Sequence, residues 1–143
     1  MRLKIEINCR EHFTVLGYRN VPFSVDSGWF TGNCSVTTYA FDELLGTKLR
    51  ALYQRKKGRD LYDLFKALQS GQHDPDAIIR SYQDYMGISV RRVPSKREYM
   101  LNLDAKMNDR EFLDDIKALI IPGESHNLVE AYELVRTELI DKM

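Results

Sequence analysis

The run Lys48-Leu-Arg-Ala-Leu-Tyr-Gln-Arg-Lys-Lys-Gly-Arg-Asp-Leu-Tyr-Asp63 sets cations and carboxylates at helical spacings on two adjoining apolar segments, an arrangement suited to holding phosphate oxygens. At about 100° per residue, Phe41, Leu44, Leu45, Leu49, Ala51 and Leu52 share one stripe, and Lys48 and Arg55 fall inside it. Solvated cations ordinarily sit opposite such a stripe. A lysine drawn towards a core needs a partner, because an unpaired buried charge is costly. Asp60 lies at the flank of the next stripe, Leu61, Leu64, Phe65 and Leu68, where it could face Lys48. Two readings stand. In one, Lys48 and Asp60 are a structural pair that fixes the angle between two helices. In the other, Lys48 touches a phosphate as a compact point charge while Asp60 orients it or tunes its protonation. Arg55, two turns further along the face of Lys48, either forks around phosphate oxygens or extends past the core to water. Arg59, Asp63 and Lys66 read as a surface ion-pair set, and Lys56 and Lys57 as a solvated basic run or a generic contact for RNA.

The remaining candidates are weaker. Glu6 sits on the polar side of an alternating segment, from which a carboxylate could join others around Mg²⁺, but one carboxylate does not make such a site. Asp74-Pro-Asp76 has the spacing of a metal pair, yet Asp74 suits a helix N-cap and Pro75 the first helical position. His12, His73 and His126 have no nucleophile nearby in sequence, and no glycine-rich phosphate loop is present. Trp29 and the tyrosines read as packing residues rather than base-stacking platforms.

The elements that position these residues begin with a half-buried strand over residues 2–8, where Leu3, Ile5 and Ile7 alternate with Arg2, Lys4, Glu6 and Asn8. Two more strands are expected over 18–25 and 34–39, separated by the turn-rich Asp26-Ser-Gly and Thr31-Gly-Asn, with Pro22 at a sheet edge. From Phe41 onward the period is helical. A first helix is expected over 41–57, stopped by Gly58, and a second over 59–69. A third starts at Asp74-Pro-Asp and a fourth at Pro94-Ser95. Asn108 or Asp109 caps a short further one, and Ser125 caps a last helix reaching Ile140. The fold class is therefore α+β: a small antiparallel or mixed N-terminal sheet (residues 1–40) followed by a bundle of about five helices (41–143), forming one compact unit.

Composition bounds the rest. The 143 residues, 43% hydrophobic and 29% charged, suit one globular domain, and no apolar run approaches membrane-spanning length. The alternating N-terminus is unlike a secretory signal, so the expected location is the cytoplasm, with no membrane partner. Cys9 and Cys34 alone provide neither a disulfide framework nor a zinc spacing. Net charge is zero, but residues 1–72 hold eleven Lys/Arg against seven Asp/Glu, which makes the first half the plausible anion-binding half.

The stretch Phe41-Asp-Glu-Leu-Leu-Gly-Thr-Lys48-Leu-Arg-Ala-Leu-Tyr-Gln-Arg55-Lys-Lys-Gly-Arg59-Asp60-Leu-Tyr-Asp63-Leu resembles the downstream motif of the AbiEii/AbiGii toxin family of nucleotidyltransferases. Gly46 stands where alanine is common in that family, a small change. Lys4-Ile-Glu6-Ile resembles the strand that carries the third carboxylate of a polymerase-β-like palm. The resemblance is dense over residues 1 to about 70 and weak in the helical tail.

It implies transfer of a nucleoside monophosphate from an NTP, with Mg²⁺, to a tRNA or other RNA acceptor, by a toxin of the type IV toxin–antitoxin kind with a cognate antitoxin. Lys48 and Asp60 would be catalytic, Lys48 and Arg55 would contact the nucleotide, and Glu6 would be the third metal carboxylate. Arg59 and Asp63 would be structural parts of the motif. Family members also carry, upstream, a Gly-Ser turn and an Asp-x-Asp pair that bind the metals. Neither stands upstream of Lys4-Ile-Glu6-Ile here, so the sequence reads as the C-terminal portion of such an enzyme, through truncation, a split gene or an excised domain, and is expected to be inactive alone. The alternative is a non-catalytic module that binds RNA or antitoxin through the basic helix junction, or that oligomerises through its open sheet edge.

Overall fold

In a computed structural model, the structure describes residues 12–117, 119–120 and 127–143; the expected strand over 2–8, with Glu6, and the expected cap Ser125 lie outside these. The described chain is a β-hairpin followed by six α-helices and a closing 3-10 turn at Ile140–Lys142, an α+β protein as its periodicities predict.

β1 (Tyr18–Ser27) and β2 (Phe30–Tyr39) pair antiparallel in continuous register from Tyr18 opposite Tyr39 to Ser27 opposite Phe30. The turn is only Gly28-Trp29, tighter than the two turn-rich clusters predict. Those clusters are drawn into the ladder by cross-strand bonds: the Thr31 hydroxyl donates to Asp26 at 2.8 Å, and the Phe30 N–H donates to Ser27 Oγ at 3.2 Å. Pro22, opposite Ser35, lies in a strand that among the described residues is at a sheet edge, where a missing N–H is tolerated.

α1 (Phe41–Gln54) packs mainly on α3 (Pro75–Ser89), and α2 (Gly58–Gln69) on α1 and α6 (Leu128–Glu138). α4 (Lys96–Met107) and α5 (Arg110–Asp114) close the bundle. Leu49, Leu52, Leu61, Leu64, Ile78, Tyr82, Tyr99, Leu103, Phe112 and Val135 form its buried centre. Phe41 departs from its stripe: at the first position of α1 it overhangs the bundle and stays half exposed. The caps follow the sequence: Asp74 accepts from Asp76 N–H, Ser95 and Glu98 form a reciprocal capping box, and Asp109 accepts from Phe112 N–H. The last helix is capped by Asn127, which accepts from the N–H groups of Val129 and Glu130.

Two glycines have roles the sequence does not disclose. Gly58 begins α2 rather than ending α1; a Cβ there would lie 2.2 Å from the Phe112 carbonyl oxygen, so glycine admits α5 against the helix start. At Gly46 a Cβ would meet Ser81 Cβ at 2.6 Å and the Ile78 carbonyl oxygen at 2.9 Å. Glycine at position 46 is therefore what lets α1 and α3 touch, so exchange with alanine is not the small change it looks in the sequence. Gly46→Ala is expected to destabilise the protein by about 1–3 kcal/mol, because the neighbour that must yield is helix backbone. That strain exceeds the ~1 kcal/mol alanine gains in helix propensity. Urea unfolding checks it: an unchanged or raised midpoint would mean that the helices separate freely.

Candidate functional site

α1 ends at Gln54, three residues before the periodicity predicts, and Arg55 leaves the helix in extended conformation (φ −125°, ψ 161°). The reason is tertiary. Arg55 closes a fork on Asp60, with Nε 2.6 Å from Oδ2 and Nη2 2.7 Å from Oδ1, and the Asp60 side chain is completely buried. The Asp60 carboxylate holds the Arg55 guanidinium more firmly protonated than usual. Lys48 stands beside this pair, 3.4 Å from Asp60 Oδ1 and 2.6 Å from Asp63 Oδ2. So Lys48, Arg55, Asp60 and Asp63 meet in one network. Its pairing differs from the simplest reading of the sequence: Asp60 is primarily the partner of Arg55, and Asp63 turns across to Lys48 instead of joining a surface set with Arg59 and Lys66.

Behind the network lies Lys106 of α4, which the sequence does not single out. Its ammonium donates to the carbonyls of Leu52 and Tyr53 and so caps the C-terminus of α1, which has no basic residue in its own last turn. Burial pushes its pKa down to about 8, against the opposing pull of the Asp60 charge. Tyr99 donates its hydroxyl to the Leu49 carbonyl at 2.8 Å, and burial drives its pKa well up.

The basic junction is neutralised from α5. Lys56 reaches Asp109 at 2.7 Å, and Lys57 lies 3.4 Å from Asp115 and 3.7 Å from Glu111. Arg59 donates its backbone N–H to Asp115 at 3.3 Å. These contacts oppose the reading of Lys56 and Lys57 as an open RNA-contacting face.

The open cationic surface lies on the other side of α1. A cavity of about 250 Å³ is lined by Lys48, Arg50 and Arg55, with Thr47, Leu44 and Ala51 as its floor and Tyr39 and Tyr85 as walls. Lys48 and Arg55 are 36% and 50% exposed, so both pair with Asp60 while still facing this space. Arg50 was not predicted. It lies at the flank of the stripe, its guanidinium 5.1 Å over the Tyr85 ring and 3.4 Å from Ser89 Oγ. Its three-residue step from Thr47 was the available signal. A separate depression of about 280 Å³ between α4 and α6 is mostly apolar and carries the carboxylates of Asp104 and Glu133, which would repel phosphate.

Glu43 anchors the wall. It is buried and accepts four bonds: Thr14 Oγ1 at 2.7 Å, Val15 N–H at 2.9 Å, Leu16 N–H at 2.8 Å and Tyr85 Oη at 2.9 Å. Burial alone would raise its pKa, but the N–H groups of Leu16 and Val15 and the two hydroxyls hold it below 4.5. One carboxylate thus joins the segment before β1 to both α1 and α3.

The architecture is an α+β protein whose first long helix presents three cations to an open cavity and roots two of them on a buried carboxylate. A family model described as nucleotidyl transferase AbiEii toxin, type IV TA system, matches residues 1–132, and the chain belongs to that family. No curated protein and no solved structure matches it. Nucleotidyltransferases of this kind are generally metal-dependent, yet the described residues do not fit Mg²⁺. Among them no group of three His, Cys, Asp or Glu is arranged to hold a metal ion, and both oxygens of Asp60 are taken by Arg55 and Lys48.

Proposed function

We propose that the cavity beside α1 grips the phosphates of an NTP for nucleotidyl transfer to a tRNA or other RNA acceptor, within a type IV toxin–antitoxin system in the cytoplasm. The observation that supports this reading is the convergence of Lys48, Arg50 and Arg55 on one open space, two of them held by buried Asp60. Phosphoryl transfer depends mainly on positioned positive charge, and a guanidinium already fixed by a carboxylate gives up little conformational freedom on meeting a phosphate. In this reading Lys48 and Arg50 contact the triphosphate. Arg55 presents its outer edge to it, and Asp60 acts as a positioning residue through Arg55 and Lys48. Asp63 holds the Lys48 ammonium from the solvent side. No helix of the described residues is long and apolar enough to cross a membrane, which is consistent with a reaction on RNA and NTP in water.

The carboxylates for Mg²⁺ come, in this reading, from another segment: from Glu6 together with residues of an upstream half or a partner chain. In the one Asp-x-Asp of the sequence, Asp74-Pro-Asp76, the Asp74 carboxylate caps α3 by accepting from the Asp76 N–H. In this reading the described residues supply the phosphate side of the reaction, and the chain alone lacks transferase activity. Labelled NTP incubated with Mg²⁺, tRNA and this chain is expected to give no labelled RNA, and addition of the metal-binding half is expected to produce it. Label transfer by the chain alone would contradict the incompleteness, and no transfer after reconstitution would contradict the enzyme reading. The alternative of a non-catalytic RNA-binding or antitoxin-binding module is less favoured, because Lys56 and Lys57, its main cations, are paired to α5.

A further inference from the structure

We propose that Tyr39 is a nucleobase platform: its ring, at the end of β2, stacks on the base of the NTP whose phosphates meet Lys48, Arg50 and Arg55. The inference rests on the reading that this cavity holds an NTP, and it adds which end takes which part of the ligand. The direction comes from α1 itself. Leu44, Lys48, Ala51 and Arg55 follow at steps of three and four residues and line the cavity as one stripe, with Leu44 about 6 Å before Lys48 along the axis and Arg55 past the helix end. Tyr39 precedes α1 by the single residue Ala40, whose N–H donates to the Gly17 carbonyl at 3.3 Å and ties the root of the hairpin to the helix start. Tyr39 and Leu44 therefore stand at one end of the cavity, and the cations stand further along.

An aromatic end and a cationic end within one space suit a ligand that is flat and apolar at one end and anionic at the other. The helix dipole does not reverse this order, because the first turn of α1 carries the acidic Asp42 and Glu43. Of the two aromatic walls, Tyr39 is the one suited to stacking. Tyr85 is 1% exposed, its hydroxyl is bound to Glu43, and its ring is packed on Phe13, with centroids 4.6 Å apart, and covered by Arg50. Tyr39 is half-buried and braced by its cross-strand partner Tyr18, with ring centroids 5.3 Å apart at a tilt of 42°. A ring held in this way loses little side-chain freedom when a base settles on it. At this tyrosine the packing role expected from the sequence and a stacking role coincide.

The lining also sets how the base is recognised. Among the described residues no carboxylate or side-chain amide lines the cavity, and the Thr47 hydroxyl donates to the Leu44 carbonyl at 2.8 Å. The edge of a base thus meets no dedicated set of donors and acceptors. Stacking on an aromatic ring tolerates every base, since each has a π-face. The ligand class is therefore any of the four nucleoside triphosphates, held by stacking at one end and by charge at the other.

Calorimetric titration of the 143-residue chain tests this by comparing each NTP with inorganic tripolyphosphate, which has no base and at least as much charge. Every NTP is expected to bind at least about fivefold more tightly than tripolyphosphate, and the four to lie within about tenfold of one another. In Tyr39→Leu the advantage of the NTPs should vanish while tripolyphosphate still binds, and Tyr39→Phe, which keeps the ring, should keep the advantage. Circular dichroism should show the helices retained in both, since Tyr39 lies outside the helical core. Equal binding of NTPs and tripolyphosphate to the wild type, an advantage that survives Tyr39→Leu, or one lost in Tyr39→Phe overturns the proposal. So does a preference among the NTPs well beyond about tenfold, which would require reading of the base edge. Loss of tripolyphosphate together with the NTPs in Tyr39→Leu overturns it too, because the side chain would then shape the cavity and not meet the base. Failure of the wild type to bind either ligand overturns the phosphate reading itself, and is distinct from each result that removes the platform alone.

Discussion

Asp60→Ala is expected to destabilise the protein by roughly 2–4 kcal/mol, because it removes the charge-assisted bonds of a buried carboxylate, although the cations left behind, Arg55 and Lys48, are 50% and 36% exposed. Asp60 has no solvent access, and its two oxygens receive the Arg55 fork and the Lys48 ammonium. Its charge also opposes the loss of the Lys106 proton, so the substitution leaves three cations around an emptied position. Arg55 would then have no reason to leave α1 at Gln54, and the junction into α2 would lose its fixed angle. The double variant Asp60→Ala/Arg55→Met should recover part of the loss, because replacing both charges by apolar groups is far milder than stranding one. Urea denaturation measures both; a single-variant loss below about 1 kcal/mol would show that water reaches the pair. One consequence bears on function. An inactive Asp60 variant is not evidence of catalysis, whereas Lys48 is a cleaner probe, since its 2.6 Å bond goes to Asp63, which is 44% exposed, and pairs of that kind contribute little to stability.

Glu43→Gln should produce the second large effect, a loss of about 2–4 kcal/mol at neutral pH. The amide would aim a donor at a site where Thr14, Val15, Leu16 and Tyr85 all donate, and at least one of them would be left without an acceptor. The sign of the pH dependence follows from the lowered carboxyl. The unfolded chain binds a proton near pH 4.5 and the folded chain only below it, so the stability contributed by ionised Glu43 is fully present above about 4.5 and is lost as pH falls through the folded value. Acid titration of the unfolding midpoint should therefore be steeper in the wild type than in Glu43→Gln. Identical slopes would contradict an ionised Glu43 clamp. Because Glu43 binds Tyr85, and Tyr85 underlies Arg50, the variant should also loosen the cavity wall.

Much of the frame was legible before any coordinates. The apolar stripes of α1 and α2, the Asp74 and Ser95 caps and the hairpin follow from periods and turn chemistry, which are local. What escaped was decided by side-chain contacts that periodicity does not encode, most of them distant in sequence. The end of α1 depends on Arg55 reaching Asp60 and on Lys106 arriving from α4, so local propensity extends the helix too far. Gly58 looks like a stop signal but answers to Phe112, and Gly46 looks like a weak alanine but answers to Ser81. Glu43 reads as a helix-dipole residue and proves to be a clamp on residues 14–16. Lys48, Arg55, Asp60 and Asp63 were nameable from spacing, but not which cation takes which carboxylate. Arg50 was hidden because it lies at the edge of the stripe, where contacts with Tyr85 and Ser89 of α3 turn it towards the cavity.

The central claim is that the cavity lined by Lys48, Arg50 and Arg55 holds phosphate. Calorimetric titration of the 143-residue chain with each of the four NTPs, and with inorganic tripolyphosphate, tests it most directly. The account predicts binding that weakens with salt and falls about tenfold, or ~1.4 kcal/mol, in each of Lys48→Met and Arg50→Met, with both variants retaining their helical content. No binding to the folded wild-type chain, or binding that is unchanged in both variants, would contradict it.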